Sequence, residues 1–144
     1  VPILNETLSD FDNVEVILKE IQKVSEGELK SLIQSSHYKV VANLPYYITT
    51  PVIMKFLESE YKPSSITIMI QKEVAQRLVA KANTTDFGAI TLSINLEGDA
   101  QITREVSRKM FTPEPNVDSA IVRIDLTNKY ENNKLYAIYI NTFR

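Results

Sequence analysis

The sequence contains no cysteine, a single histidine and only three glycines among its 144 residues. The absence of cysteine excludes disulfides and cysteine-based metal sites, and it favours a reducing compartment such as the cytoplasm. The single histidine, His37, disfavours both a histidine-rich metal site and a Ser/His/Asp triad. We therefore expect a cytoplasmic protein whose chemistry uses no metal.

Long apolar runs and an excess of positive charge are also lacking. No run approaches the ~20 apolar residues of a membrane span, and no signal peptide is visible, so we expect no membrane partner. The formal net charge of −2 argues against a strongly basic nucleic-acid binder. The stretch Arg104–Lys109 nevertheless carries three basic residues in six.

The composition that remains is typical of one soluble globular domain, with 44% hydrophobic and 24% charged residues. The sequence begins at Val1 rather than at methionine. It stops at Arg144, within an amphipathic pattern that predicts a helix. We therefore expect a piece of a longer protein.

Strand-like and helix-like patterns alternate along the chain. This alternation predicts an α/β fold with a mainly parallel sheet, in which ligands bind off the carboxyl ends of the strands. The segment 89–98 stays ambiguous, because its alternation favours a strand and its place between two strands favours a crossover helix. The predicted strands are 12–20, 38–43, 64–71, 99–107 and 118–127, and the predicted helices are 25–34, 49–60, 72–82 and 133–143.

Two of the predicted helices begin with recognisable capping residues. Ser25 is followed three residues later by Glu28, which is the pattern of a capping box. Thr50 is the expected N-cap of the next helix, and Pro51 is then its first residue, where a missing N–H costs nothing.

The stretch VVANLPYYITTP, residues 40–51, ends a predicted buried strand with Asn43, Leu44, Pro45 and Tyr46. A residue before proline is pushed towards an extended conformation, which can turn the Asn43 and Leu44 carbonyls the same way. Two converging acceptors suit an –NH₂ group, and a tyrosine ring can stack on a flat heterocycle. An amino group beside a flat ring describes adenine. Tyr47 is interpreted as core packing.

The exocyclic nitrogen of adenine is a poor nucleophile, because its lone pair is delocalised into the ring. Two acceptors on its hydrogens favour a more pyramidal nitrogen, which can attack a sulfonium methyl donor held in line. Such a transfer depends on positioning and electrostatics and needs no metal. Since both tyrosines could also be core aromatics, the corner alone leaves the structural interpretation open.

Three blocks extend the pattern beyond the corner. They are NLPYYITTPVIMKFLE, IQKEVAQRLVAK and FTPEPNVDSAIVRI, in that order. Together they resemble the ribosomal RNA adenine N6,N6-dimethyltransferase family, over most of the chain from Pro2 to Arg144. The resemblance is nearest to the bacterial small-subunit (16S) branch, known for kasugamycin sensitivity. The 23S rRNA methyltransferases of macrolide resistance share the corner, but QKEVAQRL and PNVDSA are more similar to the small-subunit branch.

The resemblance implies a Rossmann-like class I S-adenosylmethionine-dependent methyltransferase sheet, here only its second half. Residues 1–128 would be the C-terminal part of the catalytic domain, and 129–144 would begin the connection to a C-terminal helical domain. The family's glycine-rich turn and its ribose-binding acidic residue are not among these residues. The piece is therefore expected to be inactive alone, to bind the donor poorly and to self-associate.

The resemblance also implies roles for single residues. Asn43 and the Leu44 carbonyl, in the turn made by Pro45, would receive the target amino group, and Asn43 would also lie next to the methyl donor. Tyr46 would stack on the flipped adenine, and Phe111 would cover the base from the other side.

Glu20 falls where the family usually has an Asp that touches the adenine end of S-adenosylmethionine, so a carboxylate is kept on a longer arm. The candidate contacts to RNA phosphates are Lys72, Arg77, Arg104, Arg108 and Lys109.

The implied function is dimethylation of adenine N6 in 16S rRNA of the small ribosomal subunit, contributing to ribosome biogenesis. Two alternatives stay open: a 23S rRNA adenine methyltransferase, and a ribosome-assembly factor that binds RNA with little catalysis.

Overall fold

Four strands form one sheet in the order β1-β2-β4-β3. This comes from a computed structural model that describes residues 2–127. The predicted helix at 133–143 and the predicted connection at 129–144 lie outside these residues. The elements are α1 (Pro2–Thr7), α2 (Glu26–Ile33), β1 (Lys39–Asn43), α3 (Thr49–Glu58), β2 (Ser65–Gln71), α4 (Lys72–Leu78), α5 (Ala89–Glu97), β3 (Gly98–Val106) and β4 (Ser119–Leu126), with short 3-10 turns at Ile21–Lys23, Tyr46–Ile48 and Arg108–Met110.

Strand direction brings three carboxyl ends to one edge of the sheet. β1 and β2 are parallel, whereas β4 is antiparallel to both of its neighbours, β2 and β3. β1, β2 and β3 therefore run the same way. The α/β class is confirmed, but only one of the three ladders is parallel, because the chain turns back at 107–118 and inserts β4 between β2 and β3.

Helices α3, α4 and α5 form a layer on one face of the sheet. Alternate residues of β2 and β4 face this layer, because cross-strand partners share a face. Each isoleucine or leucine that is fully buried there stabilises the fold by about 1.5–3 kcal/mol. The core side chains are Val24, Leu29, Val52, Ile53, Phe56, Leu57, Ile66, Ile68, Ile70, Ala75, Leu78, Ile94, Ala120, Val122 and Ile124.

The other face of β1 is open in the described part of the chain. Lys39, Val41 and Asn43 lie on this face and are exposed, Val41 by 80%. The strand predicted at 38–43 is confirmed, but the expectation that it is buried is wrong. The reason is that no other described residues cover this face of β1, so only its inner face, with Val40 and Ala42, packs against the core.

The two predicted helix starts have different outcomes. The capping box is confirmed: the Glu28 N–H donates to Ser25 Oγ at 3.2 Å, and the Ser25 N–H donates to Glu28 Oε2 at 3.3 Å. Thr50 is not an N-cap, because α3 begins at Thr49 with Ile48 in the N-cap position. Pro51 is still within the first turn, where a backbone N–H has no intrahelical acceptor.

Three other segments depart from the sequence predictions. Residues 12–20 are not a strand, because no described strand pairs with them, and Leu18 is 82% exposed. α4 ends at Leu78, before the predicted 82. The ambiguous segment 89–98 is a helix over Ala89–Glu97, which buries Thr91 and Ile94 completely. Within 2–127, no helix combines the length and apolar composition needed to cross a bilayer.

Candidate active site

The Asn-Leu-Pro-Tyr corner leaves the carboxyl end of β1 and turns into α3. Pro45 has φ −56° and ψ 138°, and its carbonyl oxygen accepts from the Ile48 N–H at 3.1 Å and from Thr49 Oγ1 at 3.3 Å. Leu44 packs against the core, whereas Asn43 is exposed. The turn is therefore anchored on both sides of Pro45, and it presents the Asn43 carboxamide at the edge of the sheet.

The two tyrosines of the corner are on the surface. Tyr46 is 69% exposed and Tyr47 is 72% exposed, and their rings meet edge to face with centroids 5.8 Å apart. The interpretation of Tyr47 as core packing is therefore wrong. Both tyrosine rings are therefore accessible at the carboxyl edge of the sheet, as stacking on a flat ligand requires.

A cavity of about 330 Å³ lies beside the corner. Glu20, Ile21 and Gln22 line one part of it, and Tyr47 and Ile48 line the other. The structure thus brings Glu20 to the corner, although Glu20 ends an extended segment rather than a strand. Sequence reasoning assigned none of the other four lining residues to a site, because no local pattern predicts that residues 20–22 pack beside the corner.

The carboxylate of Glu20 is available at the cavity. Its Oε2 lies 2.8 Å from the ammonium of Lys23, and both side chains are largely exposed. Exposed ion pairs contribute little to stability, so this contact can be exchanged for another hydrogen-bond partner at small cost.

Phe111 follows the carboxyl end of β3, in the segment 107–118. Arg108 organises this segment: its backbone N–H donates to Asp118 Oδ1 at 2.9 Å, and its guanidinium reaches the Asn116 carbonyl at 3.2 Å and Glu114 at 3.1 Å. Phe111 is half-buried and lies at the same edge as the corner. Two strands separate β1 from β3, a spacing of about 14 Å, so Phe111 and Asn43 lie at opposite ends of this edge.

The basic candidates fall into two groups. Lys72 lies 2.8 Å from Glu105, whose carboxylate raises the pKa of Lys72, and Arg108 pairs with Glu114. These two cations are already partly neutralised. Arg77, Arg104 and Lys109 have no carboxylate partner among residues 2–127. The last three are therefore the better candidates for phosphate contacts.

These features together define a class of protein. The α/β sheet carries an exposed Asn-Leu-Pro-Tyr corner at the carboxyl end of a parallel strand, beside a cavity with a carboxylate. The sheet itself is that of the Rossmann-like class I methyltransferases, as the sequence resemblance implies. The profile described as "Ribosomal RNA adenine dimethylase" matches residues 1–141, so the chain belongs to the ribosomal RNA adenine dimethylase family. Over the described residues, no group of three or more His, Asp or Glu side chains could hold a metal ion.

Similar proteins agree with this assignment. "Ribosomal RNA small subunit methyltransferase A" of Clostridioides difficile is 45% identical over 130 residues, which cover 90% of this chain and 45% of that protein. The protein of the same name from Enterococcus faecalis is 41% identical over 126 residues, covering 86% of this chain and 43% of its own length. The chain thus spans less than half of each relative.

Two solved structures have the same fold. A dimethyladenosine transferase from Plasmodium falciparum has a TM-score of 0.74 at 24% identity, with 90% of this chain and 44% of that chain covered. The 23S rRNA methyltransferase ErmE has a TM-score of 0.68 at 26% identity, with 88% and 48% covered. The prediction of a half-length methyltransferase sheet is confirmed.

Proposed function

We propose that this chain is the second half of an enzyme that transfers methyl groups from S-adenosylmethionine to the N6 amino group of adenine in 16S rRNA. Two methyl groups per adenine would be transferred, in the cytoplasm, as part of ribosome biogenesis. The observation that carries the proposal is the exposed Asn43 carboxamide beside the exposed Tyr46 ring at the carboxyl edge. The names of the relatives from Clostridioides difficile and Enterococcus faecalis support the small-subunit substrate.

The corner performs the positioning that the reaction requires. Asn43 Oδ1 and the Leu44 carbonyl oxygen accept hydrogen bonds from the two hydrogens of the amino group. These bonds raise the electron density on the amino nitrogen, which makes it a better nucleophile. Pro45 holds the Leu44 carbonyl, because its own carbonyl is fixed by two hydrogen bonds. Tyr46 stacks on the flipped base. When bound, S-adenosylmethionine supplies an electrophilic methyl group on a sulfonium.

The residues present fit one end of that donor. Glu20 offers a carboxylate to an adenine amino group, and Ile21 and Ile48 offer apolar walls to its ring. The methionine end has no such cradle here, because Gly27 lies in α2, Gly88 precedes α5 and Gly98 begins β3. We therefore propose that the 144-residue chain alone is inactive and binds S-adenosylmethionine too weakly for calorimetry to detect.

The alternative substrate is 23S rRNA, because ErmE, which has a similar fold, is a 23S rRNA methyltransferase. The 26% identity to ErmE against 41–45% to the small-subunit relatives disfavours it. An RNA-binding assembly factor would not need the exposed carboxamide and ring of the corner.

The test is Asn43→Ala in the full-length enzyme, assayed on immature small subunits. We expect methylation to fall by at least ~100-fold, the scale of removing one well-placed polar group from a transition state. Asn95→Ala is the matched control, because Asn95 is exposed on α5. Primer extension on 16S and 23S rRNA identifies the substrate. Near-normal turnover by a folded Asn43→Ala protein would contradict the role proposed for Asn43.

We also propose that the 144-residue chain self-associates. Leu18 and Val41 are 82% and 80% exposed, and Phe11 is 56% exposed. An open edge strand with apolar residues is a template for pairing with another chain.

A further inference from the structure

Gln71 ends β2 at the same edge of the sheet where Asn43 ends β1. Asn43 is in register with Met69, so their side chains share a face. Gln71 lies two residues beyond Met69, and side chains two apart in a strand point to the same side. The two strand-terminal carboxamides therefore lie on one face, with their Cα atoms about 8 Å apart by standard sheet spacings.

The register also puts Gln71 alongside the corner. β2 extends two residues past the partner of Asn43, so it continues beside the turn that Leu44 and Pro45 make. A glutamine side chain is long enough to bring its amide towards the corner, where the proposed function places the target amino group.

The local structure does not use the Gln71 side chain. Gln71 occupies the N-cap position of α4, with φ −59° and ψ 139°, yet its side chain makes no capping hydrogen bond. Neither Gln71 nor Asn43 donates or accepts a side-chain hydrogen bond within the described residues. A half-buried carboxamide with no structural partner, next to a second one, is suited to a ligand that has both donors and acceptors.

Adenine is such a ligand. Its amino group carries two donors, and the ring nitrogens N1 and N7 on either side are acceptors. The Asn43 and Leu44 oxygens take the two amino hydrogens, and the Asn43 amide N–H can reach at most one of the two ring nitrogens, so the other ring nitrogen needs a donor from elsewhere. Side-chain carboxamides do bond the adenine edge through donor and acceptor together. On the basis of the proposed function, we propose that Gln71 orients the target adenine by donating its amide N–H to N1 or N7.

The experiment uses the full-length enzyme and RNA with adenosine, 1-deazaadenosine or 7-deazaadenosine at the target position. Gln71→Ala removes the side-chain amide, and Gln71→Glu keeps the shape but removes the donor. With adenosine, we expect both variants to lower kcat/KM on the order of 10- to 100-fold, the range of one specific base contact. With one of the two deaza substrates, the variants and the wild-type enzyme should have equal kcat/KM, because that substrate lacks the ring nitrogen that accepts from Gln71.

Gln101→Ala is the matched control, since Gln101 is exposed on the same face but two strands from β2 along the sheet. It should leave kcat/KM unchanged with all three RNAs. A wild-type kcat/KM in Gln71→Ala or in Gln71→Glu, or an equal loss with both deaza substrates, would overturn the proposal. Methylation of unmodified RNA by the wild-type enzyme tests the proposed function separately.

Discussion

Replacement of Tyr46 separates stacking on a base from stability of the fold. The side chain is 69% exposed, so folding removes only about a third of it from water. Full burial of a large apolar side chain contributes about 1.5–3 kcal/mol, so Tyr46→Ala should destabilise the fold by roughly 1 kcal/mol at most. A domain with about 5–15 kcal/mol of stability remains folded after that loss.

The loss of stacking should be larger in its functional effect. Stacking of a base on an aromatic side chain is worth about 1–3 kcal/mol, which corresponds to roughly 5- to 150-fold in kcat/KM. Tyr46→Phe keeps the ring and should retain most of the activity. The assay is transfer of labelled methyl groups to immature small subunits by the full-length enzyme, with thermal unfolding measured on the same preparations.

Tyr38 provides the contrast within the same chain. Its ring lies 4.9 Å from the Tyr61 ring, and its hydroxyl donates to the Tyr61 carbonyl at 2.5 Å, near the amino ends of β1 and β2. Tyr38→Ala should therefore lower the unfolding temperature and leave kcat/KM of the folded enzyme unchanged. Equal activity losses in Tyr46→Ala and Tyr46→Phe would refute the stacking role, since only the hydroxyl differs between tyrosine and phenylalanine.

Three further predictions concern the fold and its open face. Gly98→Ala should destabilise the fold by about 1–3 kcal/mol or more, because a Cβ at this position would lie 1.9 Å from the Asp125 carbonyl oxygen. Gly27→Ala is the control, since a Cβ there meets nothing within 4 Å. Comparable denaturation midpoints for the two variants would contradict this prediction. Burial raises the pKa of Tyr38 to about 12 from 10.0, so the stability it contributes should be lost as pH rises from 10 towards 12, and Tyr38→Phe should lose less by alkaline denaturation. Val41→Lys should reduce self-association of the 144-residue chain in sedimentation, since lysine on an edge strand opposes pairing.

Local patterns predicted the features that depend on a few neighbouring residues. Ser25 and Glu28 form their capping box because both partners lie within one helical turn. The corner follows a strand because β-branched residues precede Asn43 and a proline stops the ladder soon after it. α3 begins at Thr49, two residues before the predicted start at Pro51, and the Thr49 hydroxyl donates to the Pro45 carbonyl at the end of the corner.

Features that depend on contact with a distant segment of the chain could not be predicted from the sequence. Residues 12–20 alternate like a strand, but a strand exists only where another one pairs with it, and none does in the described chain. Tyr47 is a large aromatic residue of the kind often found in cores, but the turn at Pro45 directs it to the surface, where it lines the cavity with Glu20. The exposure of a side chain next to a tight turn depends on the direction of that turn rather than on hydrophobicity.

Gln71 illustrates the same limit within the proposed site. In the sequence it precedes KEVAQRLVAK and is assigned to the end of a strand, with nothing local to connect it to a corner twenty-eight residues earlier. The connection comes from one pairing, Asn43 with Met69, which fixes both the face and the edge on which Gln71 lies. A slip of one residue in that register would turn Gln71 to the helix-covered face. The proposed site thus depends on the register of two parallel strands, which the buried row of Ile66, Ile68 and Ile70 maintains.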